Sequence, residues 1–374
     1  MSPASSLQPS PEPESLAHGS RIRRSRVRAV KAPLSSPLRT ATGTMTSAPL
    51  VLVDIETDGG DVGHGYAFAY TPLALPGLTE LLRNLLPLLE GAELEPVQIM
   101  ESLRSRFVLL GTRGLLDMAL AAIDVALWDA HAKILDRPLY RLLGATAKPL
   151  RAYASFGMDG QDESVRLAAS AAEQGFTAVK IKIGYPTLAE DVAVVRAVKH
   201  ALGAVDLLVD YNQSLTVPEA LRRCRALDDE GLGWIEEPTR YDDMRGHARI
   251  TAKTATAIQT GENLWGPRDV RESIELHASD LMMPDLVKVG GVTGWLGASA
   301  LCHAHGVPVS NHFFQEASAH LMCATPTAHL VEYFGLADPI LARTLPVHDG
   351  HVRPGDEPGL GISWDEAAIA DFAA

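Results

Sequence analysis

Seven polar residues stand at near-regular intervals through the second half of the chain: Lys182, Asp210, Glu236, Glu262, Asp285, His312 and Glu332, separated by 28, 26, 26, 23, 27 and 20 residues. Each lies at or near the end of an apolar run, and one strand–helix unit takes about that length. Such spacing brings the carboxylates of Asp210, Glu236 and Glu262 together. Singly, each also reads as a helix N-cap or a surface acid. Gathered in one mouth, three anions repel unless a cation neutralises them, and an all-oxygen set favours Mg²⁺. The absence of His or Cys among them disfavours zinc.

Ala178-Val179-Lys180-Ile181-Lys182-Ile183 reads as a strand, so Lys180 and Lys182 share one face while Val179, Ile181 and Ile183 take the other. On an edge strand such lysines only guard against aggregation. Facing a ring of carboxylates, Lys182 can serve as a base. It must then lose about three units from a reference near 10.4, roughly 4 kcal/mol. A second ammonium at about 7 Å supplies about 2.4 kcal/mol at an effective dielectric near 20. Lys180 is therefore expected to lower its neighbour in part, with a divalent cation pushing the same way. Lys180 itself stays charged and can bind an anionic substrate oxygen. Asp285 and His312 fall on adjacent strand ends, where a carboxylate that accepts from one imidazole nitrogen leaves the other as acid or base. Glu332 reads either as a protonated donor toward a developing enediolate or as a buried salt-bridge partner. His303, His305, His320 and His329 are assigned to the core or to solvent.

Positioning these groups takes parallel strands joined by helices. After Pro149, apolar runs at Ala152–Phe156, Ala178–Ile183, Leu207–Tyr211, Trp234–Glu236, Ile258–Glu262, Leu281–Val289, Val307–His312 and Leu330–Phe334 are each followed by an Ala-rich, charged stretch. Eight such units are what a (β/α)8 barrel requires, with its site at the carboxyl ends of the strands. Earlier, Leu50–Thr57 and Tyr66–Tyr70 predict an antiparallel pair, and Leu78–Leu89, Met100–Phe107 and Gly114–Leu135 predict helices. The expected organisation is a Ser-, Pro- and Arg-rich disordered leader over 1–27, an α+β domain over 28–148, a barrel over 149–344, and a segment over 345–374 that packs back on the first domain.

Composition narrows the partners. A 374-residue chain that is 46% apolar and 21% charged builds a large core, and its formal charge of −13 disfavours nucleic acid or an anionic membrane as partner. Cys224, Cys302 and Cys323 fit no disulfide or metal spacing, which points to a reducing cytoplasm. The most apolar stretch, Leu115 to Trp128, is interrupted by Asp117 and Asp124 at amphipathic spacing, so no membrane span is expected.

The motifs are specific when taken together. Lys180-Ile181-Lys182-Ile183-Gly184-Tyr185-Pro186, Val209-Asp210-Tyr211-Asn212-Gln213, Trp234-Ile235-Glu236-Glu237-Pro238, Gly261-Glu262-Asn263, Met283-Pro284-Asp285, Gly290-Gly291-Val292-Thr293-Gly294-Trp295 and His312-Phe313-Phe314-Gln315-Glu316 resemble the enolase superfamily, in its mandelate racemase subgroup. The resemblance implies a (β/α)7β barrel capped by the N-terminal α+β domain, with a lid loop over about 33–45. By matching position it implies Asp210, Glu236 and Glu262 as Mg²⁺ ligands, Lys182 and His312 as two bases on opposite faces of the substrate, and Asp285 as the partner of His312. Lys180 and Glu332 would contact the substrate carboxylate, with Asn212 and Ser155 on other substrate oxygens. Members commonly form homo-octamers. The departures lie in the specificity pocket, at Leu38, Arg39, Thr42 and Met45 of the lid and at Phe313 and Phe334. These bulkier side chains narrow an aryl pocket, and Arg39 either faces solvent or meets a second anion. The expected activity is Mg²⁺-dependent racemisation of a small 2-hydroxycarboxylate, mandelate or similar, through an enediolate. A sugar-acid dehydratase and a non-catalytic carboxylate-binding barrel stand as alternatives.

Overall fold

The structure, a computed structural model, describes residues 20–40 and 43–374. Strands β1 (Ile22–Thr40), β2 (Gly43–Thr57) and β3 (Val62–Phe68) form an antiparallel sheet in that order. Helix Leu115–Ile134 packs across it, buried on almost every side. Gly63 permits that approach, since a Cβ there would meet the Ala126 carbonyl oxygen at 2.1 Å. Asp124 on the same helix accepts from the Thr293 N–H and hydroxyl at 2.9 and 2.6 Å, which ties this domain to the barrel.

Two expectations change here. Residues 1–19 of the expected leader lie outside the described residues, but residues 22–27 belong to β1. Their charges are matched across the sheet, Arg23 and Arg24 by Glu56, while Arg28 meets Asp54 at 2.7 Å. The lid is likewise no irregular loop. Residues 33–40 and 43–45 continue β1 and β2 into a twisted ribbon, with a register shift between Pro33 and Leu38 and Arg39 paired to Thr44. Thr42 lies outside the described residues.

The second domain closes on itself. Strands β4 (Leu150–Ser155), β5 (Ala178–Lys182), β6 (Asp206–Asp210), β7 (Ile235–Glu236), β8 (Ile258–Thr260) and β9 (Leu281–Met282) pair in parallel and in order, and β10 (Val331–Tyr333) returns to pair with β4. Seven helices, at 161–173, 188–202, 217–227, 244–251, 266–275, 291–305 and 315–324, make the crossovers. After β10 the chain leaves the barrel instead of adding another helix, so the architecture is a (β/α)7β barrel with an N-terminal α+β domain.

The arc between β9 and β10 departs from expectation. The run Leu281–Val289 is a strand for two residues and then a short helix over Leu286–Val289. Pro284 has no N–H for a ladder, and Asp285 caps the helix by accepting from Val287 N–H and Lys288 N–H at 2.9 and 3.0 Å. The stretch 307–312 forms isolated parallel bridges, Val309 with Met282 and Ala328, and His312 with Asp285. The final segment touches both domains. Its hairpin at Val347–His348 and His351–Val352 pairs with β4, and further on Trp364 donates to Asp54 at 2.7 Å. No helix among the described residues is long and apolar enough to cross a membrane.

Candidate active site

Backbone register assembles the first half of the site. Lys182 pairs with Asp210 across β5 and β6, and Asp210 with Glu236 across β6 and β7. Strands about 4.8 Å apart therefore set consecutive polar ends side by side. Glu262 follows just beyond β8. Carboxylate oxygens of Asp210, Glu236 and Glu262 lie within 4.8 Å of one another, and all three residues are buried.

The charges in this cluster are not balanced. Burial pushes Glu236 up to about 8, against the pull of Lys180 and with Asp210 and Glu262 adding repulsion. Burial opposes ionisation of Glu262 too, yet His312, Lys182 and Lys288 hold it down at about 2. Beside the cluster, Asn212 Oδ1 and Glu237 Oε1 are buried without a hydrogen-bond partner. Buried oxygens in this arrangement fit a hard divalent cation, which would supply the missing positive charge.

Lys180 is enclosed by Glu236 Oε1 at 2.8 Å and Glu332 Oε1 at 3.0 Å, over the ring of Tyr153. Burial works to lower its pKa, but Glu236 and Glu332 outweigh it and raise it well above the ordinary lysine value. Lys182 donates to Asp210 Oδ2 at 2.5 Å. In the protein alone its pKa is raised, and a divalent cation held by the same carboxylates would push it down. Burial and Lys180 do lower it, but Asp210, with Glu262 and Glu236, carries the net direction upward. Glu332 is subject to opposed influences. Burial favours its protonation, but Lys180, His312 and the Phe313 N–H, which donates at 2.9 Å, lower its pKa. With Lys180 Nζ 3.0 Å from its Oε1, it stands in the place of a buried salt-bridge partner.

His312 Nδ1 lies 2.7 Å from Asp285 Oδ2, and its Nε2 lies 3.2 Å from Glu262 Oε2. Because a carboxylate can only accept, Asp285 fixes a hydrogen on Nδ1, and the Glu262 carboxylate facing Nε2 favours the protonated ring. Burial lowers the His312 pKa, but Glu262 and the Asp285 hydrogen bond raise it overall. Phe313 and Phe314, both with φ of 49°, turn the chain sharply behind it.

A cavity of about 540 Å³ opens onto Lys182, Asn212, Glu262 and His312. Its remaining wall comes from the first domain, with Leu38, Thr44, Met45 and Ser47 of the ribbon and Phe68 and Tyr70 at the end of β3, together with Phe313. Ser155, in register with Lys180, and the Lys180–Glu332 pair are buried but do not line it. Nor does Phe334. The ribbon tip rests on the loop after β4, where Met158 N–H donates to the Arg39 carbonyl at 2.8 Å and Arg39 meets Asp159 at 2.6 Å. Gly157 makes that seat possible, since a Cβ would lie 2.8 Å from the Arg39 nitrogen. Sequence reasoning missed Phe68, Tyr70 and Lys288. Tyr70 stands 215 residues from Asp285, to which it donates, so nothing local marks it.

Comparisons with known proteins agree with this architecture. Residues 22–144 match the N-terminal domain of the mandelate racemase / muconate lactonizing enzyme family, and residues 163–368 match the enolase C-terminal domain-like family. An L-talarate/galactarate dehydratase of Salmonella typhimurium is 31% identical, covering 90% of this chain and 87% of its own. A 3,6-anhydro-alpha-L-galactonate cycloisomerase of Streptomyces coelicolor is 32% identical, over 94% and 99%. The structure of an enolase from Bradyrhizobium complexed with magnesium and mandelic acid superposes with a TM-score of 0.93 at 42% identity, covering 96% of this chain and all of that one.

Proposed function

The chain belongs to the enolase superfamily, in its mandelate racemase and muconate lactonizing enzyme branch, and from that premise we propose that it racemises a 2-hydroxycarboxylate bearing a neutral, largely apolar substituent. Asp210, Glu236 and Glu262 would hold Mg²⁺, whose charge lowers the cost of an enediolate when bound. Lys182 removes the α-proton from one face and His312 returns one at the other. Asp285 holds the His312 ring through Nδ1 and leaves Nε2 as the nitrogen that exchanges a proton with the substrate. Asn212 contacts a substrate oxygen, while Lys180 and Glu332 set the charge of the floor from beneath.

The observation that carries this reading is that Lys182 and His312 open onto one cavity from separate arcs of the barrel. Two bases make inversion the natural outcome of one enediolate. The substituent follows from the wall. Leu38, Met45, Phe68, Pro72 and Phe313 are apolar, and among the described residues no arginine and no lysine other than Lys182 lines the cavity. A second carboxylate would be desolvated there without a counter-charge. Arg39 does not supply one, being paired with Asp159.

The hydroxyls of Thr44, Thr46 and Ser47 on the same wall favour a second reading, dehydration of a polyhydroxy acid through the same enediolate. A panel of aryl, alkyl and polyhydroxy 2-hydroxy acids in deuterated solvent with Mg²⁺ separates the two. Racemisation predicts deuterium at the α-carbon of both enantiomers of an aryl or alkyl acid. A 2-keto acid formed from a polyhydroxy acid would replace it with dehydration.

A further inference from the structure

The Asp285 carboxylate accepts from four donors, and one of them is not part of the barrel. Oδ1 takes the Val287 and Lys288 N–H groups at 2.9 and 3.0 Å, and Oδ2 takes His312 Nδ1 at 2.7 Å and the Tyr70 hydroxyl at 2.6 Å. Tyr70 follows β3 directly and is reached from the first domain alone. Its ring lies nearly parallel to the imidazole, at 8° with centroids 6.4 Å apart, and Lys288 Nζ sits 4.0 Å from its centroid. Its φ of 59° places a bulky residue in the left-handed region. Such strain persists only where surrounding contacts over-determine it. Phe68, packed on Tyr70 with ring centroids 4.4 Å apart, and the Asp285 hydrogen bond are those contacts. Lys182 has a different kind of partner, Asp210, from the adjacent barrel strand.

Resting on the two-base reading, we infer that Tyr70 is a positioning residue for one base only: through its hydrogen bond to Asp285, the first domain holds His312 in its working orientation while Lys182 works without that help. The hydroxyl fixes the plane of the Asp285 carboxylate, and the carboxylate fixes the imidazole. Docking of the first domain is therefore part of assembling one face of the site and not merely a cover over both.

Tyr70→Phe tests this, because it keeps the ring, its packing and the Lys288 contact. With Mg²⁺ and an exchanging 2-hydroxy acid, α-proton exchange on the His312 face is expected to fall about tenfold, the size of effect one hydrogen bond to a charged group carries. Exchange on the Lys182 face should change less than about twofold, with KM for both enantiomers held. Met45→Ala, which alters the ribbon wall of the cavity, should affect both faces alike. An equal loss on both faces, or a change in KM only, would overturn the inference and make Tyr70 a wall residue. The two-base reading fails separately, through absent exchange in the wild type. In that case the ¹⁵N-histidine NMR spectrum still decides the Tyr70 contact: the His312 Nδ1–H resonance should move downfield in Tyr70→Phe as Oδ2 loses its competing donor, and an unmoved resonance overturns it.

Discussion

The two halves of the site are built by different means. Around Lys182, strands β5 and β6 pair over five successive positions, and the carboxylates of Asp210 and Glu236 take their places from that register. Around His312 there is hardly a sheet. Strand β9 has two residues, 307–312 contributes isolated bridges, and side chains do the work that a ladder does elsewhere. Asn311 donates to the Phe313 carbonyl at 2.7 Å and accepts from Glu332 N–H at 2.8 Å, while Asp285 caps a helix and holds the imidazole. A base fixed by backbone register tolerates distant change. One fixed by a side-chain network inherits every displacement of its members, since a misplacement of about 1 Å can cost roughly a hundredfold in rate.

The most severe way to break this comparison is to remove each proposed base. Lys182→Ala and His312→Asn are each expected to lower racemisation by about a thousandfold or more, within the range that general acid–base groups contribute. Each variant should keep α-proton exchange from a single enantiomer, opposite in the two. Exchange of both enantiomers in either variant, measured by NMR in deuterated solvent, would remove the division into faces.

Legibility in the sequence follows the same division. The Lys-x-Lys alternation and the intervals from Lys182 to Glu262 depend only on strand period and on the length of a βα unit, so both could be read before any coordinates. The pairing of Asp285 with His312 was legible in the same way, but the local shape of the arc holding Asp285 was not. Leu286-Val287-Lys288-Val289 carries two β-branched valines yet forms a helix because Pro284 and Asp285 precede it. In the first domain, β1 was hidden by composition. Its arginines resemble a disordered leader until Glu56 and Asp54 are seen opposite them, and those partners are remote in sequence. The alternation of buried Val30 and Ala32 was the available signal. Local pattern carries register and period; it does not carry a pairing such as Tyr70 with Asp285.

Glu262 stands between the halves, near the Asp210–Glu236 pair and 3.2 Å from His312 Nε2. Glu262→Ala should weaken Mg²⁺ binding at least about tenfold by calorimetry and lower exchange on both faces together, because it removes one of the three proposed ligands from a buried site. Unchanged Mg²⁺ affinity would take Glu262 out of the metal set and leave it a partner of His312 alone. A milder perturbation acts on the ribbon, which walls the cavity for both bases. In Gly157→Ala the new methyl meets the Arg39 backbone at 2.8 and 2.9 Å, so the ribbon must lift. KM should rise about tenfold for either enantiomer while the ratio of the two exchange rates stays fixed. A changed ratio would mean that the ribbon, like Tyr70, serves one half.

The smallest effect expected comes from the ribbon's own charge. Arg39 pairs with Asp159 at 2.6 Å, but its side chain is 48% exposed and that of Asp159 is 5% exposed. Water screens the guanidinium, and pairs of this kind contribute about 0.2–1 kcal/mol. Removing the arginine still leaves a largely buried carboxylate without its partner, which places the cost at the upper end of that range. Arg39→Ala is therefore expected to raise KM by no more than about fivefold, equally for both enantiomers, with the backbone bond from Met158 N–H to the Arg39 carbonyl still seating the ribbon. The same variant bears on substrate charge. If Arg39 received a second carboxylate, its loss would abolish turnover of a dicarboxylic acid while sparing a monocarboxylic one. Steady-state kinetics on an aryl monoacid and an aldaric diacid decide between these. A uniform small change in KM fits a ribbon held by backbone and trimmed by a surface ion pair, and a selective loss on the diacid would move Arg39 into the substrate site.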